Sequence, residues 1–130
     1  MIRIQKAKNP AHFKDFVQFP FELYKGNPFW VPPITKEELE VVDSEKNPVF
    51  QNADASFFLV YKNNKLAGRV AAMVNWVEVK ELKKNKVRFG WFDFIDDLEV
   101  SEALLSEVVK FGKAYQLNFI EGPVGFSNLD

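Results

Sequence analysis

The chain has 130 residues, with 17 basic and 18 acidic side chains for a net charge of −1, 14 phenylalanines, three tryptophans and no cysteine. That length is one domain with a core of its own, filled here largely by aromatic rings. The composition excludes disulfides, thiolate nucleophiles and cysteine-based metal sites, and the balanced charge lacks the electrostatic footprint of a general nucleic-acid binder.

No apolar run follows the basic residues of the opening MIRIQKAKNP, so no secretory signal is visible, and no stretch reaches the roughly 18 apolar residues of a membrane helix. A soluble cytoplasmic protein without nucleic-acid or membrane partners is expected. Ile2 and Ile4 alternate with Arg3 and Gln5 as in a half-buried strand, and Asn9-Pro10 punctuates the chain before a helix. Phe13, Phe16, Val17, Phe21 and Tyr24 fall near helical spacing over 11–25, where Pro20 is expected to kink or divide the helix.

The segment 27–33, NPFWVPP, has three prolines around Phe29 and Trp30 and reads as an ordered aromatic loop, either stapled to the core by both rings or forming a substrate wall. TKEELEVV then predicts a short helix with Thr35 as N-cap and Glu38 in the capping-box position. Ser56–Tyr61 and Leu66–Val74 predict a hairpin, with Asn63 and Asn64 at the positive-φ positions of its turn. Gly68, inside the return strand, implies a bulge or a close backbone approach.

Val87–Ile95, VRFGWFDFI, reads as a central strand covered on both faces. Val100, Leu104, Val108, Phe111 and Tyr115 form the stripe of the clearest helix, spanning 97–117, with Asp97 or Ser101 as its cap. Phe119–Glu121 is a short strand, broken by Gly122-Pro123.

Four segments, LYKGNPFWVPP (23–33), NPVFQNADASFFLVYKNNKLAGRVAA (47–72), FGWFDFIDDLEVSEALLSE (89–107) and GPVGFSNLD (122–130), together with the order β-α-β-β-β-α-β, resemble bacterial GNAT-like proteins of the acyl-CoA N-acyltransferase superfamily. The resemblance implies an α/β (α+β) fold with a mixed, mainly antiparallel sheet whose closing strands are missing. The chain is then expected to be a single, incomplete N-terminal domain over 1–130. The implied function is that of the N-terminal part of an N-acyltransferase, with acetyl-CoA or another acyl-CoA as donor, an unknown amine as acceptor and no metal. The alternative is a non-catalytic acyltransferase-like domain for assembly or ligand binding, with a homodimer formed through the open sheet edge.

In such folds a glycine-rich loop before the long helix holds the CoA pyrophosphate. The corresponding stretch here, 96–102, has no glycine and carries Asp96, Asp97, Glu99 and Glu102, which suit an acidic helix start. Asp93 is the candidate base, a carboxylate among apolar neighbours with Arg69 or Arg88 as an alternative salt-bridge partner. Gly122, Ser127 and Asn128, with Pro123 and Phe126 beside them, are the candidate cofactor-binding residues, because they follow the carboxyl end of a strand. His12 is the single histidine and has no partners for a triad or metal centre. The basic run Lys80, Lys83, Lys84, Lys86 and Arg88 is either a phosphate grip or, with Glu78 and Glu81 interleaved, a solvated connection.

Overall fold

A computed structural model describes residues 1–123. Its elements are β1 (Ile2–Lys6), α1 (Pro10–Leu23), α2 (Thr35–Val41), a 3-10 turn at Pro48–Gln51, β2 (Ala53–Lys62), β3 (Lys65–Asn75), a π-helical turn at Val77–Glu81, β4 (Lys86–Phe94), α3 (Leu98–Ala114) and β5 (Phe119–Glu121). The five strands form one sheet in the order β1-β2-β3-β4-β5. All neighbours are antiparallel except β4 and β5, which are joined through α3 and run parallel. The mixed, mainly antiparallel sheet and the element order agree with the sequence expectation.

Each face of the sheet has its own core. On one face α3 lays Val100, Leu104, Val108 and Phe111 against Phe58, Val60, Val70, Val74 and Val87. On the other, Phe16 and Val17 of α1, with Val42 just past α2, meet Phe57, Leu59, Ala71 and Met73. The β2–β3 turn has Asn63 at φ 52° and Asn64 at φ 66°, so both asparagines take the left-handed backbone that a tight hairpin needs. Beside the turn, Val60 pairs with Gly68 and Tyr61 with Leu66, which leaves Ala67 as the extra residue of a bulge. A Cβ on Gly68 would stand 2.9 Å from Leu104 Cδ1 and 3.1 Å from Phe94 Cβ, so the glycine also lets α3 approach the sheet.

Pro20 neither divides nor ends α1, which stays helical through Leu23. Its missing N–H leaves the Phe16 carbonyl without its usual partner four residues on, and Nη1 of Arg69 donates to that carbonyl at 2.8 Å. Thr35 is not an N-cap, because helix α2 begins at Thr35 and Ile34 stands before it without a side-chain cap. The Thr35 hydroxyl instead accepts from Gln18 Nε2 at 3.0 Å, tying α2 to α1. At α3 the cap is Asp97, whose carboxylate accepts from the amides of Glu99 and Val100, whereas Ser101 donates to the Leu98 carbonyl. Helix α3 ends at Ala114, short of Leu117, where Gln116 turns to φ 59° and the Leu117 amide bonds back to the Gly112 carbonyl at 2.8 Å.

Candidate functional site

Strand β4 carries an irregularity that decides which way its side chains face. Phe89 pairs with Ala72 and Gly90 with Ala71, but Asp93 pairs with Arg69, so β4 uses two residues, Trp91 and Phe92, where β3 uses Val70 alone. Trp91 sits at φ 46°, a left-handed conformation that is costly for a bulky residue and marks the bulge. Strict alternation from Phe89 would send Trp91 and Asp93 to the α3 face. The extra residue reverses the parity: Phe92 and Phe94 join the α3 core, and Trp91 joins the α1 core. Asp93 thereby turns to the α1 side.

There it meets a buried cation and a phenol. Arg69 Nε and Nη2 both lie 2.8 Å from Asp93 Oδ2, and the Tyr24 hydroxyl donates to Asp93 Oδ1 at 2.6 Å. Arg69 is 7% exposed, places its guanidinium over the Phe16 ring at 5.1 Å and spends its third nitrogen on the carbonyl freed by Pro20. Burial lowers the Arg69 pKa against the raising effect of Asp93. The Tyr24 hydroxyl is pushed up to about 12, first by burial and then by its bond to Asp93. Above it, Trp30 stacks on Tyr24 at 5.4 Å and meets Phe21 edge-on at 5.3 Å. One half of the expected staple therefore exists. Phe29 does not share it and is 92% exposed.

On the side facing β5 the β4 ladder stops early. The two strands pair at Lys86 with Phe119, Val87 with Ile120 and Arg88 with Glu121, after which β4 continues to Phe94 without a β5 partner among the described residues. Gly122 lies at this divergence. A Cβ there would fall 2.6 Å from the Phe89 ring and 2.6 Å from its carbonyl oxygen, so only glycine lets the chain leave β5 this close to β4. Ser127 and Asn128, with Phe126, lie outside the described residues.

The basic run separates into distinct roles. Arg88, 2% exposed, grips Glu78 with two bonds, Nε to Oε1 at 2.7 Å and Nη2 to Oε2 at 2.6 Å, and lies 3.4 Å from Glu121. Lys86 donates to Glu121 at 2.9 Å and lies 3.4 Å from Glu78. Hydrogen bonding to Arg88 holds the Glu78 carboxyl below the usual range, and bonding to Lys86 does the same for Glu121. This network ties β5 and the π turn to β4. Lys80 lies over Trp76 at 5.2 Å, and Lys80, Lys83 and Lys84 are all exposed. Arg88 is therefore a partner of Glu78, and the salt-bridge partner of Asp93 is Arg69.

At the start of α3, Asp97 accepts from Glu99 and Val100 amides while Lys62 bridges it at 2.5 Å and reaches Glu99 at 3.6 Å. The bond to Lys62 is the main cause holding the Asp97 carboxyl below its ordinary range. A pyrophosphate is poorly matched to this helix start, where the Glu99 and Val100 amides and the Lys62 ammonium are already engaged by carboxylates. A separate groove of about 1010 Å3, with Phe13, Leu39 and Phe57 in its lining, opens between α1, α2 and the start of β2. It borders Ala55, whose sheet row runs through Met73 to Arg88, so it lies at the end of the sheet opposite Asp93.

No family model matches the chain. Among curated proteins it is 30% identical over 115 residues to protein YghO of Escherichia coli, covering 88% of this chain and 29% of that protein. It is 25% identical over 122 residues to the bacterial ceramide synthase of Caulobacter vibrioides, covering 93% of this chain and 32% of that protein. The chain thus spans about a third of the length of these relatives. In structure it resembles a metagenomic aminoglycoside acetyltransferase from soil, with a TM-score of 0.64 at 10% identity over 95% of this chain and 78% of that one. A predicted acetyltransferase of Clostridium acetobutylicum, solved with acetyl-CoA, gives 0.63 at 12% identity over 96% and 82%. A GNAT-family acetyltransferase of Staphylococcus aureus gives 0.62 at 15% identity over 94% and 73%. The fold is GNAT-like. Strand β4 thus carries both the Asp93 cluster and, over Phe89–Phe94, an edge without a β5 partner among the described residues.

Proposed function

We propose that the chain is the N-terminal part of a GNAT-like N-acyltransferase that moves an acyl group from an acyl-CoA thioester to an amine. The observation that carries this reading is the β4 strand itself, without a β5 partner beyond Arg88 among the described residues and bulged at Trp91, within a fold similar to that of solved acetyltransferases. An extended, amide-bearing arm such as the pantetheine of CoA finds backbone donors and acceptors along such an edge. Gly122, packed against Phe89 where the chain leaves β5, and Ser127 and Asn128 are proposed as further contacts of the donor. Two neighbours support the donor class: one was solved with acetyl-CoA and the other, AAC(6')-Iy, with a CoA bisubstrate analogue.

Asp93 is assigned to the acceptor side. Its carboxylate is fixed by Arg69 and Tyr24, and a carboxylate offers about four lone-pair directions, so Oδ1 retains room for the N–H of an incoming amine. Held this way it orients the amine and takes up its proton as the C–N bond forms and the thioester C–S bond breaks, CoA leaving as a thiolate that is protonated from solvent, while catalysis rests mainly on positioning, without a covalent nucleophile. The ceramide synthase relative makes long-chain amides attractive as a product class to screen. A cytoplasmic location supplies the CoA donor and suits a cysteine-free chain.

The self-capped start of α3 favours a second reading, a GNAT-like domain without catalysis that assembles through β5, whose Phe119 and Ile120 are 67% and 48% exposed. Calorimetric titration of the natural-length protein with acetyl-CoA, with CoA and ATP as controls, tests the pair. Saturable binding of acetyl-CoA and CoA that ATP does not share supports the transferase, and Asp93→Asn should then lower turnover. Absence of binding, with light scattering showing a concentration-dependent dimer, would replace it with the second reading.

A further inference from the structure

Helix α1 runs through a proline near its end, a residue that breaks helices because it lacks the amide and its ring crowds the carbonyl four residues back. We propose that Pro20 is a positioning residue of the Asp93 site: by withholding a helix amide it keeps the Phe16 carbonyl open to Arg69, and so gives the Asp93 carboxylate a single orientation toward the acceptor amine. The inference rests on the transferase reading and adds to it a residue that acts through Arg69 and Tyr24.

Two observations carry it. The first is the way Arg69 holds Asp93. Nε and Nη2 both bond to Oδ2, at 2.8 Å each, so the pair meets at one carboxylate oxygen. Two bonds on one oxygen form a pivot about which a planar guanidinium can still swing, whereas a fork spread over both oxygens is locked. Nη1 stops the swing by donating to the Phe16 carbonyl at 2.8 Å, with the guanidinium 5.1 Å from the Phe16 ring. In an unbroken α-helix that carbonyl belongs to the amide four residues on, which here is the missing amide of Pro20. Pro20 is itself buried, so an amide at this position would have no water to turn to and would compete with Nη1 for the carbonyl. The second observation lies at the other carboxylate oxygen. The Pro20 carbonyl accepts from the Tyr24 amide at 2.9 Å and closes the helix, and from that end the Tyr24 hydroxyl donates to Asp93 Oδ1 at 2.6 Å. One residue thus fixes both donors of Asp93, by the bond it lacks and by the bond it accepts. Local rules of helix formation are broken where a functional site requires it.

The natural-length protein, carrying nitrogen-labelled arginine, is compared by magnetic resonance in three forms: the parent, Pro20→Ala, and a form with lactate in place of Pro20. Alanine and lactate have the same side chain and both lack the ring, but only alanine has the amide. Arg69→Lys identifies the Arg69 signals, and circular dichroism checks each fold. In Pro20→Ala the Arg69 Nε hydrogen should exchange with water about tenfold faster than in the lactate form, which should stay within about twofold of the parent. Acyl transfer to an amine should fall in Pro20→Ala by on the order of 10–100-fold in kcat, with the KM for acyl-CoA unchanged, and should return in the lactate form. Equal exchange in the alanine and lactate forms overturns the proposal, because the amide then does not matter. Transfer unchanged in a Pro20→Ala protein whose Arg69 has loosened overturns it too. Exchange is measured without any acyl donor, so a parent that transfers no acyl group defeats the transferase reading alone and leaves the hold of Pro20 on Arg69 to be decided by exchange.

Discussion

Replacing Asp93 by Asn keeps the shape of the side chain and removes the only carboxylate bonded to the Arg69 guanidinium among the described residues. Arg69 is 7% exposed, so its charge then faces a low-dielectric surrounding with one amide oxygen in place of the anion. Breaking one partner of a buried pair costs about 3–5 kcal/mol. The Asp93 side chain is 17% exposed and the Asn oxygen still accepts one bond, which places the loss near the lower bound, about 3 kcal/mol. With an unfolding entropy of about 2.1 cal/mol/K per residue, 130 residues give about 0.27 kcal/mol/K, so Tm should fall by about 10 °C. Urea unfolding followed by tryptophan fluorescence, with a matched thermal scan, measures both quantities. The control is Arg69→Met with Asp93→Leu, which removes both charges and should be milder than Asp93→Asn alone. An Asp93→Asn protein within about 0.5 kcal/mol of the parent, or a double variant as unstable as the two single changes added together, would refute the description of this pair as buried and interdependent.

Gly68→Ala should cost about 1–3 kcal/mol, because its Cβ would meet Leu104 Cδ1 at 2.9 Å and Phe94 Cβ at 3.1 Å. In the background of Leu104→Ala the same change should cost less but not vanish, because Val60 Cγ1 at 3.0 Å and Phe94 Cβ at 3.1 Å remain; a cycle without coupling would show that α3 does not contribute to the need for glycine. The Tyr24 phenol, pushed up to about 12, holds its proton more tightly in the folded state than in the unfolded one, where tyrosine titrates near 10. Its stabilisation is complete below about pH 10 and is lost as pH rises toward 12; ultraviolet titration against Tyr24→Phe reads this directly, and a difference spectrum titrating near 10 would contradict it. Glu78 runs the other way. Its folded pKa is depressed by Arg88, so its contribution is present above the ordinary glutamate value of about 4.3 and is lost as pH falls below it. Acid unfolding of Glu78→Gln should accordingly lose part of its steepness below about pH 4, and an unchanged acid limb would count against the network.

Local patterns in the chain predict the strands and α-helices but neither the 3-10 turn at Pro48–Gln51 nor the π-helical turn at Val77–Glu81. The stripe Val100, Leu104, Val108 and Phe111, the Asn63-Asn64 turn and the glycine inside β3 each imply a local geometry that the structure contains. The Asp93 cluster was only half legible, because it depends on parity. Read without a bulge, VRFGWFDFI gives no way to know which face Asp93 takes, and the extra residue at Trp91 is visible only as two adjacent aromatics where alternation demands one. In the sequence Tyr24 reads as one more position in the α1 stripe. Two signals pointed to its neighbour Arg69: an arginine inside an otherwise apolar strand must find an acceptor, and Pro20 leaves a carbonyl at Phe16 in need of a donor. Joining those signals requires knowing that α1 crosses β3, and that is a tertiary fact. Thr35 failed as a cap for a related reason, since its hydroxyl is drawn away by Gln18 from another helix.

The start of α3 sets a condition on any donor that this fold accepts. Asp97 occupies the amides of Glu99 and Val100, and Lys62, the nearest cation, is committed to Asp97 and Glu99. On the acyl-transfer reading, phosphate groups at that helix end would have to displace a carboxylate already bonded to both amides and ammonium, and would then face Asp96, Glu99 and Glu102. The proposed contact is then between β4 and the donor's amide-bearing pantetheine arm. An S-acetyl-pantetheine lacking the nucleotide should therefore bind within about tenfold of acetyl-CoA, a difference of about 1.4 kcal/mol, and ATP should not compete. A loss of several hundredfold on removing the nucleotide would place the phosphate site elsewhere in the protein and would separate the donor from the edge of β4.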